Sequence, residues 1–201
     1  MTEVRQATAD EVILAFLQAE IDSPTERGRI VAGGLAHICA DRGQLIDHAD
    51  LKNPQHNSTR CWLLGYARGY RLNQFLFVNF PDDTAWRLVT VTPAEVKYFK
   101  YVNHQQGWAG LSGSSRLVID GLKNLDQAQN PQYPCNVKAI AARVRRGDRF
   151  PPLIAAQCTG AADMVLLEGH TRATAYALTG LPDEIEVFVG MSAHMANWMF
   201  F

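Results

Sequence analysis

Up to about residue 80, apolar side chains recur at the three-to-four-residue spacing of amphipathic helices. Thr8 and Glu11 form a capping box, so the first helix is predicted to begin there and to end near Ser23-Pro24. A second helix follows, and a third is predicted around 61–66 with Gly69 as its stop. This part of the chain is therefore predicted to be helical.

The pattern changes at the turn cluster of residues 81–83, which precedes a run of large and β-branched residues. That run, 86–91, predicts a strand. Residues 92–95 then form a second capping box, with proline at the first helical position. We predict a division of the chain at this change, into a helical N-terminal region over 1–84 and an α/β domain over 85–201.

From residue 150 onward, short apolar runs alternate with turns, which is typical of a small sheet. The elements predicted in the C-terminal part are a helix over 136–146, two hairpin strands over 153–156 and 164–167, a helix over 171–178 and a strand over 185–189. Together with the helical N-terminal region, these elements predict an α/β fold of the α+β type. The apolar segment 195–201 is predicted to pack on the core or at a subunit contact.

Composition narrows the classes of function. Nineteen basic and twenty acidic side chains leave a formal net charge of -1, so nucleic-acid binding would have to be local and is not favoured. The four cysteines are widely separated and lack metal-ligand spacing, so no metal site is predicted. The sequence shows neither a signal-peptide pattern nor an apolar run of membrane-spanning length, so we expect a cytoplasmic protein without membrane contact.

The segment Glu168-Gly169-His170-Thr171-Arg172 is the strongest candidate for chemistry, because an apolar strand runs directly into glycine, polar groups and then a helix. A helix start presents unpaired N–H groups and the positive end of the dipole, and glycine lets a phosphate approach the backbone. Arg172 would add a planar donor, and His170 would donate to phosphate or act as a general base. Glu168 would activate a hydroxyl or hold a metal-bound water. Thr171 is also a plausible N-cap of the helix.

The same part of the chain resembles a known superfamily. Residues 150–154, a hairpin, and then 167–175 look like the pattern shared by ParB N-terminal domains, sulfiredoxin and ParB-like free-serine kinases. The resemblance implies a small mixed sheet of ParB/sulfiredoxin type that holds ATP or CTP phosphates. By this resemblance the phosphate contacts would be Gly169, His170, Thr171 and Arg172. Histidine at 170 replaces the reactive cysteine of sulfiredoxin, and no DNA-reading helix-turn-helix follows, so neither sulfiredoxin chemistry nor a partition ParB is expected.

A second candidate anion site lies in a small-residue loop before a predicted helix. Its residues would form a backbone nest with an arginine clamp: Ser112, Gly113, Ser114 and Arg116. An ordinary N-cap explains the same residues equally well. His104 and Trp108 precede this loop and would line the same cleft, although core packing or surface exposure is the commoner role for such side chains.

The sequence leaves three hypotheses open. The first is a nucleotide-dependent phosphotransferase or phosphohydrolase in which Mg²⁺ bridges the phosphates of ATP or CTP. The second is a non-catalytic DNA- or protein-binding module of plasmid or phage type, in which the helical N-terminal region engages a protein or DNA partner. Self-association of the chain is also left open. The third is a ParB-like nuclease, which ranks last because no cluster of three acidic residues is apparent in the sequence.

Overall fold

A mixed five-stranded sheet forms the middle layer of the protein in its computed structural model, which describes residues 1–23, 26–104 and 107–201. The strands are β1 (Thr2–Ala7), β2 (Ala85–Val91), β3 (Leu153–Cys158), β4 (Met164–Glu168) and β5 (Ile185–Ser192), in the spatial order β1-β2-β5-β3-β4. β3 and β5 run parallel, and the other neighbouring pairs of the sheet are antiparallel. The predicted α+β class with a mixed sheet is confirmed.

Helices cover both faces of this sheet. One face carries α1 (Ala9–Ile21), α2 (Glu26–His37) and α3 (Pro54–Arg68), and the other carries α4 (Pro93–Val96), α5 (Trp108–Ser112), α6 (Val118–Lys123), α7 (Gln132–Arg145) and α8 (His170–Thr179). Alternation along β3 produces the two layers, since Ile154 and Ala156 pack towards α1–α3 while Leu153 and Ala155 pack towards α8. Across the described ranges, no helix combines the length and the apolar character that a membrane crossing needs.

Both predicted capping boxes are present. The Thr8 hydroxyl accepts from the Glu11 N–H while the Glu11 carboxylate accepts from the Thr8 N–H, and Thr92 and Glu95 repeat the arrangement at α4. Each box satisfies backbone donors that a helix start leaves free. α1 ends before the predicted stop, and Pro24 lies outside the described residues.

The predicted third helix ends before Gly69 as expected but begins earlier than predicted, at Pro54. The Asn53 side chain caps it by accepting from two backbone N–H groups of the first turn. This start was missed because the first two turns of α3 are polar and show no apolar stripe. The predicted hairpin of β3 and β4, the helix after it and the last strand are all confirmed, with ends that differ by a few residues.

The strand β1 was not predicted from the sequence, which described the N-terminal region as helical and placed its first helix at Thr8. β1 pairs antiparallel with β2 at the edge of the sheet, where Ala7 lies opposite Trp86. The helices α1–α3 share one apolar core with Trp86, Leu88 and Phe188 of the sheet. The predicted division at residue 84 stays a prediction, and both the strand pairing and this core run across it.

The apolar C-terminal segment packs on the core, which was one of its two predicted fates. Met195 and Trp198 are buried in the core shared with α1–α3. The Trp198 Nε1 donates to the Leu76 carbonyl at 2.7 Å, so the indole buries its apolar ring while its polar atom keeps a partner.

The packing of α2 against α1 depends on Gly28, where a Cβ would lie 2.2 Å from the Ser23 carbonyl oxygen and 2.8 Å from that of Glu20. Gly28→Ala is therefore expected to lower the free energy of unfolding by about 2 kcal/mol, because backbone atoms must move apart. Gly33→Ala, in the same helix, places its Cβ with nothing within 4 Å and is expected to raise that free energy by up to about 1 kcal/mol. Urea unfolding followed by circular dichroism measures the free energy of unfolding of both variants. Equal changes in the two variants would contradict the close approach of α2 to the end of α1 at Gly28.

Candidate anion-binding site

The segment 168–172 forms a tight turn from β4 into α8. Gly169 is the N-cap of α8 and has a left-handed backbone, with φ 97° and ψ 22°. A Cβ at this position would lie 2.4 Å from the Leu153 Cδ2, so glycine is required by both backbone conformation and space. Thr171, the predicted N-cap, is instead the second residue of the helix, because the turn closes earlier than the sequence indicated.

The first turn of α8 offers three backbone donors. The helical hydrogen bonds begin with the Ala173 N–H, which donates to the Gly169 carbonyl at 2.8 Å. Within the described ranges no acceptor is found for the three N–H groups before it, those of His170, Thr171 and Arg172. These groups lie at the positive end of the helix dipole, an arrangement that suits an anion.

Arg172 and Glu168 hold the turn in place. The Arg172 Nη1 donates to the carbonyls of Pro151 and Pro152, the latter at 3.3 Å, and its Nη2 donates to the Glu168 Oε1 at 3.2 Å. The Glu168 Oε2 accepts from the Gly169 N–H. Both terminal nitrogens of Arg172, the predicted phosphate clamp, therefore donate to groups within the protein, and these contacts stabilise the turn.

The carboxylate of Glu168 remains ionised despite its burial. Burial by itself raises the pKa of Glu168, but Arg172, His170, the Gly169 N–H and Arg68 together outweigh it, and the pKa lies below its usual range. Both oxygens are engaged and the group is a weak proton acceptor. Its predicted role as a base stays a prediction, and the contacts of Glu168 hold the turn in place.

His170 is 8% exposed, and its Nε2 is buried without a hydrogen-bond partner. The ring stacks on Tyr101 and Trp108, with centroid distances of 5.8 and 6.5 Å. Burial lowers the pKa of His170 to about 4, and nearby arginines act in the same direction. The ring is therefore neutral at physiological pH, so the protonated donor that the sequence suggested is disfavoured. A neutral ring still donates from Nε2 in one of its tautomers.

The N-terminal helical layer supplies three charged residues that sequence reasoning missed: Glu20 of α1, Arg27 of α2 and Arg68 of α3. The Arg68 Nε lies 3.4 Å from the Glu20 Oε1, and the two residues are 7% and 3% exposed. Neither oxygen of Glu20 nor the Arg68 Nε makes a hydrogen bond. Buried polar atoms nearly always have such partners, so the unpartnered atoms of this pair require an explanation.

Electrostatic interactions join this layer to the β4–α8 turn. Burial raises the pKa of Glu20 to about 7 against the opposing effect of Arg68, and Glu168 adds to the rise. Arg68 and the exposed Arg27 in turn act on His170. We call Glu20, Arg27, Arg68, Glu168, His170 and Arg172 the composite site. When His170 is neutral and Glu20 is ionised, the three arginines and two glutamates of the composite site carry a net charge of +1.

One sequence signal could have indicated Glu20 and Arg68. Glu20 follows Phe16 by four positions and Leu17 by three, which places it on the apolar stripe of α1. Arg68 follows Leu64 by four on the buried side of α3. A charged residue on a buried helix face needs a partner or a function.

The second predicted anion site is organised differently from the expectation. Ser112 is buried at the end of α5, and a 3₁₀-helix over Gly113–Ser115 separates it from α6, so the α-helix begins later, at Val118. Arg116 donates through Nη1 to the Phe201 carbonyl at 3.0 Å and is already engaged by the C-terminal segment. Gly113, Ser114 and Arg116 together line an open cavity of about 390 Å³, so three of the four predicted residues lie around one space.

The two residues predicted beside that loop have separate surroundings. Trp108 stacks on Tyr133, with ring centroids 4.7 Å apart, and lies beside His170 rather than in the loop cleft. His104 stacks on Phe200 at 6.2 Å. The structure therefore brings Trp108 to the β4–α8 turn and leaves His104 with the C-terminal segment.

Histidine, cysteine and carboxylate side chains are the residues that hold metal ions most often in proteins. In the described part of the chain, no group of three or more His, Cys, Asp or Glu side chains is arranged to hold a metal ion. The four cysteines, at positions 39, 61, 135 and 158, are free thiols. A cation at the composite site would therefore need ligands from a bound anion or from water.

No family model, curated protein or solved structure matches this chain. The resemblance to the ParB/sulfiredoxin superfamily accordingly stays a prediction. The case for the composite site depends on its geometry and on the unpartnered polar atoms within it.

The requirement for glycine at position 169 can be measured against another left-handed glycine. Gly169→Ala is expected to lower the free energy of unfolding by about 3 kcal/mol, because backbone strain and the clash with Leu153 add together. At Gly180, with φ 69°, nothing lies within 4 Å of an added Cβ. Gly180→Ala should therefore lose only about 1 kcal/mol. Chemical denaturation measures both, and a smaller loss at 169 than at 180 would be inconsistent with this geometry.

Proposed function

We propose that this protein binds the phosphate groups of a nucleotide, ATP or CTP with Mg²⁺, at the turn from β4 into α8. The observation that carries the proposal is the first turn of α8, whose three unpartnered N–H groups lie beside the unpartnered Nε2 of buried His170. Backbone N–H groups at a helix start and a neutral imidazole N–H are suitable donors for phosphate oxygens. The left-handed Gly169 adds room for the ligand to approach the backbone.

The charges around the turn support the same class of ligand. Arg27 and Arg68 raise the positive potential next to the helix start, and their effect on His170 places them within electrostatic range of it. Glu168 is neutralised by Arg172 and so does little to repel an anion. The resemblance of 167–175 to ParB-like proteins, whose corresponding turn holds nucleotide phosphates, adds independent support.

Phosphoryl transfer or hydrolysis is the chemistry we associate with this binding, by analogy with the ParB-like kinase branch. In this proposal the first-turn N–H groups and the free arginines stabilise negative charge on the phosphates, while Glu168 and Arg172 keep the turn rigid. Mg²⁺ would be held mainly by phosphate oxygens and water, and would offset phosphate charge. Nucleotide binding stands ahead of catalysis, because His170 and Glu168 are both poor proton acceptors at neutral pH.

A charge placed at the helix start tests the proposal. Thr171→Glu is expected to weaken ATP and CTP binding at least about tenfold, because a carboxylate next to the first-turn N–H groups repels phosphate. The same substitution favours the helix itself, since acidic side chains stabilise helix starts. Isothermal titration calorimetry with each nucleotide and Mg²⁺ gives the affinities.

Thr171→Gln is the matched control, because it adds similar bulk without charge. Its affinity should remain within about threefold of the wild-type value. Wild-type protein that neither binds nor hydrolyses ATP or CTP in the presence of Mg²⁺ would rule the proposal out.

A partner-binding module is the second candidate function, and an exposed aromatic row favours it. His37 of α2 stacks on Trp62 of α3, which stacks on Tyr66, with centroid distances of 6.5 and 5.4 Å. Trp62 and Tyr66 are 43% and 49% exposed. Exposed aromatic side chains are enriched at partner-binding surfaces. No feature of the described residues specifically favours the nuclease hypothesis.

If the partner is DNA, a gel shift with duplex DNA should appear at low salt and weaken as salt rises, because phosphate contacts release counterions. Trp62→Ser combined with Tyr66→Ser should reduce the shift by about tenfold or more if the aromatic row forms the contact. Absence of any shift at low salt would eliminate DNA as the partner.

A further inference from the structure

The function proposed above gives Glu20 no role and gives Arg68 only a share in the positive potential around the helix start. Both lie in the N-terminal helical layer, and both are almost fully buried. A buried ion pair contributes little to stability unless its remaining polar atoms are also hydrogen-bonded. Here both carboxylate oxygens and the Arg68 Nε have no such bond, so stability alone is a poor explanation for the pair.

Arg60 shows how this protein holds a buried arginine that is structural. It lies two turns earlier in α3 and is fully buried, and its terminal nitrogens donate to the carbonyls of Leu45 and Asp50 and to the Asn57 side chain. The Nε of Arg60 and the Nε of Arg68 both lack a hydrogen-bond partner among the described residues. The two arginines therefore differ in their surroundings: backbone carbonyls and an amide oxygen surround Arg60, whereas a buried carboxylate and an aromatic ring surround Arg68.

The position of Arg68 relative to the turn follows from its neighbours. Its guanidinium lies over the Phe16 ring, 5.5 Å from the centroid, with Glu20 on one side. Its charge acts on both Glu168 and His170, so it lies within electrostatic range of the start of α8. A buried arginine whose Nε lacks a hydrogen-bond partner among the described residues, and which lies within electrostatic range of the start of α8, suits a bidentate contact with phosphate.

We infer that Arg68 is a direct ligand of the bound phosphate and that Glu20 orients it, so that the N-terminal helical layer and the sheet share one binding site. This inference rests on the proposed function, because the ligand is the same. The phosphate would then contact both the first turn of α8 and Arg68 of α3, so the N-terminal helical layer would take part in ligand recognition.

Glu20 then couples phosphate binding to pH. The charged groups that act on it are Arg68 of α3, Arg27 of α2 and Glu168 of β4, and its pKa is raised to about 7. An anion on Arg68 brings further negative charge towards Glu20, which favours the protonated carboxyl. Binding therefore takes up a proton, and affinity rises as the pH falls through neutrality.

The test measures binding of inorganic sulfate, whose charge is constant near neutral pH, and of Mg²⁺-ATP, by calorimetry. Wild-type protein should bind sulfate about five- to tenfold more tightly at about pH 6 than at about pH 8. Glu20→Gln, which is neutral at both values, should bind with less than about twofold difference between them. Arg68→Gln should weaken both probes by about tenfold or more, and Arg68→Lys should restore only part of the loss.

Arg60→Gln is the matched control, because it removes a buried arginine from the same helix without touching the composite site. Its affinities should stay close to those of the wild type, and thermal unfolding verifies that each variant is folded. If Arg68→Gln does not fold, the pH profile of Glu20→Gln decides the matter.

The outcomes separate the two proposals. Wild-type protein that binds neither probe overturns the nucleotide-binding proposal, and the inference about Arg68 with it. Wild-type protein that binds both probes, with Arg68→Gln unchanged or with the pH dependence intact in Glu20→Gln, overturns only the inference.

Discussion

Burial of β3 on both of its faces is the constraint on which the rest of the architecture depends. Its side chains alternate between two apolar cores, with Ile154 and Ala156 facing α1–α3 and Leu153 and Ala155 facing α8. Such a strand needs a covering layer on each side, since exposed apolar surface costs about 25 cal/mol per Å². The N-terminal helices therefore belong to the same core as the sheet, and charged residues on them act on the turn that follows β4.

The charged residues of the composite site, between the N-terminal helices and the turn after β4, influence one another's charge. Loss of water disfavours the charged form of any side chain, so burial raises the pKa of Glu20 and lowers that of His170. Glu168 keeps its charge because Arg172 and a backbone N–H engage its oxygens. Arg68 pairs with Glu20, and we relate its Nε, which lacks a hydrogen-bond partner among the described residues, to the proposed anionic ligand.

Features that depend on neighbouring residues could be predicted from the sequence, and features that depend on tertiary packing could not. The two capping boxes, the end of α3 and the 168–172 turn each involve atoms a few positions apart. β1 was missed because an exposed edge strand lacks an apolar alternation. The contact of Arg116 with the Phe201 carbonyl could not be predicted, because that carbonyl lies at the far end of the chain. Glu20 and Arg68 meet only through the packing of α1 against α3.

The pairing of β1 with β2 has a consequence for how the chain is threaded. The chain leaves the sheet after Ala7 and returns opposite it at Trp86. The N-terminal helical layer is therefore one long connection between two neighbouring antiparallel strands. Closing so long a loop carries a large entropy cost before the edge strand gains any hydrogen bonds. β1 should therefore join a sheet that has already formed, and its docking would complete the enclosure of the helical layer during folding.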